Sequence, residues 1–99
     1  MAGFVQIVQF TTSNFDEMQK LADQWREQTE GKRSTSRVTT SRDRDNPNQY
    51  FIIAEFASYE DAMRNNDLPE TQAFSGEMQK LGDGPPTFHN LDVERVEER

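Results

Sequence analysis

The sequence contains no cysteine, which excludes disulfides, thiolate nucleophiles and cysteine-built metal sites. Apolar residues are scarce, at 32% of 99 residues, and the mean hydropathy is −0.98. A chain of this length buries only about 60–65% of the surface its unfolded form exposes. A lone core this poor in apolar residues is marginal, so a partner covering more apolar surface, a second copy in a homodimer, is expected. Basic residues are outnumbered 11 to 18, for a net charge of −7. That balance repels phosphate backbones and anionic lipid, so neither nucleic acid nor membrane is an expected partner. No apolar run approaches the ~20 residues of a membrane span. The opening MAGFVQIVQF lacks the basic start of a secretion signal, and a cytoplasmic location is expected. A single histidine does not make a zinc cluster. There is no glycine-rich phosphate loop, no Ser-His-Asp order and no metal-ligand spacing, so no cofactor or metal is expected.

Disorder also suits such a composition, but 10% aromatic residues and clear periodic segments argue for a fold. One domain over 1–99 is expected, with 97–99 a frayed tail. FVQIVQF (4–10) alternates and reads as a strand. Asn14 and Glu17 form the pattern of a capping box, and Met18, Leu21, Ala22 and Trp25 then make one apolar helical stripe. Trp25 is expected in the core. Gly31 is a natural stop. STSRVTTSRDR (34–44) is a polar strand, DNPNQ (45–49) a turn, and YFIIAEFA (50–57) a central strand. Ser58 with Asp61 caps a second helix, which Pro69 interrupts. Asp67, Pro69 and Glu70 in DLPE supply the restart. Thr71, Phe74, Met78 and Leu81 continue the stripe to Gly82, and TFHNLDVERV (87–96) is the last strand.

The heptamers EMQKLAD (17–23) and EMQKLGD (77–83) differ at one letter. The first opens a helix that runs on to Trp25, whereas the second closes one at Gly82. They do not superpose in a two-half alignment, so they are not a duplicated unit. The order is βαββαβ: an α+β, ferredoxin-like plan with a four-stranded antiparallel sheet and helices on one face.

On this plan, and on IIAEFASYEDAMRNNDLPETQAF in particular, the chain resembles the dimeric α/β-barrel superfamily in its antibiotic-biosynthesis-monooxygenase-like branch. There a strand ending E-x-x-x-Y-E-D-A runs into a broken second helix. The resemblance implies that two such subunits pack their sheets face to face as a dimeric barrel with the helices outside. It also implies a small organic ligand, and a cofactor-independent monooxygenase-like activity on a small aromatic or polyketide-like substrate. A non-catalytic metabolite-binding or assembly module is the alternative, since the superfamily is functionally broad. Haem-degrading relatives carry an asparagine on the first strand, where Gln6 stands here. They also carry a tryptophan and a histidine in the second-helix region, and residues 59–81 contain neither.

Three residues are candidates for catalysis. His89, the only histidine, suits a general base if it faces the barrel, or is an exposed strand residue. Glu55 interrupts an apolar strand: a buried carboxylate there would favour its protonated form and could move protons, or it pairs with an arginine across strands. Arg37 shares a strand face with Thr35, Thr39 and Ser41 and could hold a substrate anion. The competing reading makes it, with Lys32, Arg33, Arg42 and Arg44, part of a charged edge that discourages aggregation. Gln6, Thr35, Thr39 and Phe51 complete the expected substrate contacts. A one-residue register error would exchange every such candidate for its neighbour.

Overall fold

A computed structural model describes residues 3–98; Arg99, within the expected frayed tail, lies outside the described residues. The elements are β1 (Phe4–Thr11), α1 (Phe15–Gln28), β2 (Thr35–Arg42), β3 (Gln49–Phe56), α2 (Tyr59–Asp67), α3 (Pro69–Leu81) and β4 (Thr87–Asp92). The strands form one antiparallel sheet in the order β2-β3-β1-β4. This is the ferredoxin-like arrangement expected from the pattern, with the polar β2 on an edge and the apolar β3 inside.

The helix boundaries follow local chemistry, with two departures from expectation. Ser58 Oγ accepts the Asp61 N–H at 3.1 Å, an N-cap as the sequence proposed. Asn14 makes no side-chain cap. Its backbone, at φ −119° and ψ 43°, is not the extended geometry that aims a cap side chain at the first turn. Thr12 ties that corner instead: its hydroxyl accepts the Asn14 N–H at 2.9 Å and donates to the Leu81 carbonyl at 2.8 Å. Asp67 is likewise not a cap but the last residue of α2. Leu68, ahead of Pro69, sits at φ −62° and ψ 131°, because a residue preceding proline is pushed out of the helical region. Proline at the first position of α3 then loses no hydrogen bond. Gly31 turns the chain after α1 at φ +78°, a conformation costly to side-chain-bearing residues. The last strand stops at Asp92, four residues short of expectation, and residues 93–98 have no regular structure.

Packing on the helix side of the sheet falls into two separate clusters. At one end Phe10, Tyr50, Met18 and Met78 are buried together, with Val8, Ile52 and Phe74 against them. At the other, Phe4 and Phe56 bury Ala62, with Ala54 and Met63 alongside. The register explains the division. Cross-strand rows on this face run Phe56–Phe4 and Tyr50–Phe10 at the two ends. Between them lies the row Val38–Ala54–Gln6–Asn90, with one small and two amide side chains. Aromatic rings fill the ends, and the middle is left unfilled.

Candidate functional site

The unfilled middle is a cavity of about 900 Å³ between the sheet and the helices. Its volume lies within the roughly 300–1,000 Å³ of small-molecule sites. The floor comes from one amide and four aliphatic residues of the sheet: Gln6, Val8, Ile52, Ala54 and Val38. Gln6 Nε2 donates to Asn90 Oδ1 at 3.1 Å, which fixes the amide across β1 and β4.

The roof comes from α1 and α3, which pack against each other. Trp25 and Phe74 stack with centroids 5.9 Å apart at 27°, and the Trp25 indole N–H donates to Thr71 Oγ1 at 2.9 Å. Trp25 was expected in the core; it is half-buried and forms a cavity wall instead. Its position on the apolar stripe of α1 is as read, but α1 packs over the unfilled row. The Arg33 guanidinium lies over the indole, 5.6 Å from the ring centroid. One of its nitrogens donates to the Arg26 carbonyl at 2.5 Å and to Thr29 Oγ1 at 3.3 Å.

The end wall is Asn65, on the inner face of α2. It is 5% exposed and lines the cavity. Its Oδ1 is fully buried and has no hydrogen-bond partner among the described residues. Buried side-chain acceptors are satisfied in the large majority of cases, so this orphan, which exposes no surface to the cavity, is an exception behind the wall. Sequence reasoning singled out neither Asn65 nor Ala54. The available signal was the row itself: Gln6 interrupts Phe4, Val8 and Phe10, and Ala54 interrupts Tyr50, Ile52 and Phe56.

The sequence-stated candidates divide between the two faces of the sheet. Gln6 and Thr35 are on the cavity side. Thr35 was expected beside Arg37, but a bulge between Thr35 and Arg37 shifts the alternation. The extra residue turns Thr35 to the cavity, opposite Phe56, and leaves Arg37 on the far face, opposite Glu55. Arg37 borders the cavity at the strand edge, while its Nε is 3.6 Å from Glu55 Oε2. Glu55 is therefore a cross-strand ion-pair partner with 29% of its side chain exposed, not a buried carboxylate. Thr39 and Phe51 lie on that same far face, as does His89 opposite Ile7. His89 Nε2 is 3.3 Å from Gln9 Oε1. His89 and Glu55 stand two strands apart and two residues out of line, about 12 Å at ordinary strand geometry. The fold brings Arg37 and Glu55 together and does not bring His89 to them.

No protein-family model matches the sequence, and no curated protein matches it significantly. Solved structures do match in fold. SnoaB, a cofactor-independent oxygenase from Streptomyces nogalater, superposes with a TM-score of 0.79 at 15% identity, over 97% of both chains. An antibiotic biosynthesis monooxygenase superposes at 0.74 and 13% identity, over 93% of this chain and 99% of that one. The fold is that of the antibiotic biosynthesis monooxygenase-like proteins. A conserved protein from Methanosarcina mazei Go1 carries it too, at a TM-score of 0.83 and 9% identity over 95% of each chain. At such identities the likeness is one of backbone. In this monooxygenase-like fold the site chemistry belongs to each chain's own side chains, here amides such as Gln6, the Asp23 carboxylate and three arginines around an apolar centre. Among the described residues no helix is long and apolar enough to cross a membrane, and no group of acidic or imidazole side chains is arranged to hold a metal ion.

Proposed function

We propose that the chain binds a small aromatic or polyketide-like molecule in the cavity between sheet and helices, and oxidises it as a cofactor-independent monooxygenase-like enzyme. The observation that carries this reading is the cavity of about 900 Å³, in the small-molecule range, with the Trp25 and Phe74 rings in its roof and an apolar floor around Gln6. Gln6 and Thr35 on the floor would orient the ring through its hydroxyls. The resemblance to SnoaB in fold supports the oxygen chemistry. An electron-rich phenol needs no bound cofactor, because its anion donates an electron to O₂ directly. A ring methylene would then become a carbonyl, taking one oxygen atom from O₂ while the other leaves as water.

The far face of the sheet supports a second part of the reading, a homodimer. Val5, Ile7, Phe51 and Ile53 are only half-buried there, and Leu91 is 45% exposed. Arg37, Glu55, Thr39 and His89 surround them. An apolar centre with a polar rim is the anatomy of an interface, and covering it with a second copy offsets the shortage of core. In this assembly Arg37, Glu55 and His89 serve the interface.

A second reading, a non-catalytic metabolite-binding or assembly module, is favoured by one fact. Of the carboxylate and imidazole side chains, only Asp23 lines the cavity among the described residues, so general bases are sparse. The two readings separate by oxygen uptake with a hydroxylated anthrone, comparing the wild type with Ala54→Phe, which fills the floor. Uptake with quinone formation that Ala54→Phe abolishes supports the enzyme. Binding without uptake supports the module, and binding that Ala54→Phe leaves unchanged refutes the cavity. Ile53→Glu should convert a dimer to monomers by light scattering; a wild-type monomer would refute the assembly.

A further inference from the structure

We infer that the cavity selects aromatic carboxylates, with Arg33 as the residue that reads the charge; this rests on the small-molecule reading above. The chain has 18 acidic residues and 11 basic ones, yet one carboxylate, Asp23, lines the cavity beside three arginines, Arg26, Arg33 and Arg37. The wall thus reverses the sign of the molecule's net charge. An acidic protein with a basic-lined cleft repels anions at large and concentrates them at one place. The Arg37 side chain is 74% exposed and Arg26 is exposed too, so the weight falls on the better-shielded Arg33.

Arg33 is held as a fixed donor. Its side chain is only 22% exposed. Both hydrogens of Nη1 are occupied, by the Arg26 carbonyl and Thr29 Oγ1. Thr29 is fully buried and anchored by its own hydrogen bond to the Trp25 carbonyl at 2.6 Å. Of the five N–H donors of a guanidinium, the Nε and Nη2 pair is left over. Glu30 makes a 3.6 Å ion pair with Nη2, but 80% of its side chain is exposed, so water screens the pair and a ligand carboxylate can displace it. The remaining edge is a planar fork that matches the two oxygens of a carboxylate. Partial desolvation makes that charge more effective than one on an open surface. Beneath the guanidinium lies the Trp25 ring, itself stacked with Phe74, and a flat arene would pack against the edge of this pair. Carboxylate to Arg33 and arene along Trp25 give the ligand a defined orientation.

Trp25 is the only tryptophan, so its fluorescence reports occupancy without a label. The test titrates the full chain with three probes of one shape: 2-naphthoate, the neutral 2-naphthamide and the cationic 2-naphthylmethylammonium. Naphthoate should bind about tenfold tighter than the amide, the scale of one charge-assisted hydrogen bond, and the ammonium most weakly. Arg33→Gln should erase the preference, and Arg33→Lys should keep only part of it, because an ammonium lacks the fork. Should Arg33→Gln fail to fold, Gln72→Glu puts a carboxylate on an exposed part of the lining. It should weaken naphthoate several-fold and leave the amide unchanged. Equal wild-type affinity for naphthoate and naphthamide overturns the charge selection while the cavity reading stands. No binding of any probe overturns both.

Discussion

Replacing Asn65 by leucine should stabilise the protein. The side chain is 5% exposed and its Oδ1 has no partner among the described residues. A buried acceptor left unpaired costs about 1–3 kcal/mol of desolvation. Leucine has a similar outline without the polar atoms, and the adjoining cavity accepts its extra volume. The backbone hydrogen bond from the Leu68 N–H to the Asn65 carbonyl, at 3.3 Å, does not involve the side chain. Helix propensity adds a few tenths of a kcal/mol in the same direction. For a domain near 100 residues, 1 kcal/mol shifts the melting temperature by roughly 4–8 °C. Thermal unfolding followed by circular dichroism should therefore show Asn65→Leu melting at least about 4 °C above the wild type. Naphthoate, which has no hydroxyl to offer an amide oxygen, should bind the variant as it binds the wild type. A melting temperature that falls, or rises by no more than propensity explains, would mean that Asn65 has a structural partner.

Two further perturbations test the frame around the cavity. Thr12 is 1% exposed and joins the end of β1 to both α1 and α3 through its hydroxyl. Thr12→Val keeps the shape but leaves the Leu81 carbonyl and Asn14 N–H unpaired, and urea unfolding should show a loss of about 1–3 kcal/mol; an unchanged midpoint would show that the corner is held otherwise. Glu70 is held below the ordinary glutamate value of 4.5, first by the hydrogen bond from Lys32 Nζ at 2.7 Å and then by its own backbone N–H. A lowered folded value places the pair's stabilisation above the ordinary value, to be lost as pH falls through the folded one. Carboxyl carbon shifts should show Glu70 titrating below 4.5 and moving back up in Lys32→Met; a Glu70 value indifferent to that substitution would remove the ion pair from the account.

The fold was legible because its signals are local and agree with one another. Alternation in residues 4–10, the stripe from Met18 to Trp25, and Pro69 each need only a few neighbouring residues to be read. The caps at Asn14 and Asp67 failed because a capping pattern says nothing about backbone angles, and Pro69 and Thr12 decide the geometry at those two corners. The candidate site was less legible, since a cavity is a property of what does not meet. Ala54 and Gln6 fail to fill their row only because β3 and β1 pair in the register that sets them side by side. Asn65 enters the site from a helix nearly sixty residues after Gln6, through packing that no spacing rule encodes.

A single inserted residue on β2 decides how the two faces of this sheet share the work. Without the bulge, Thr35 would stand on the far face with Arg37, Thr39 and Ser41, and the edge strand would present one uninterrupted polar row there. With it, Thr35 and Ser36 border the cavity, while Arg37 keeps its charge on Glu55. The far face can then be apolar at its centre and paired at its rim, as an interface requires. The cavity face gains hydroxyls without gaining a second carboxylate, as a site for anions requires. Deleting Ser36 would make Thr35 and Arg37 neighbours, and strict alternation would then keep Thr35 opposite Phe56 on the cavity side and Arg37 opposite Glu55 on the far side. What the deletion removes is the Ser36 part of the lining and the local twist of the bulge, so naphthoate affinity should fall while dimer affinity is unchanged. A loss of dimer affinity in that variant would show that the bulge also shapes the far face.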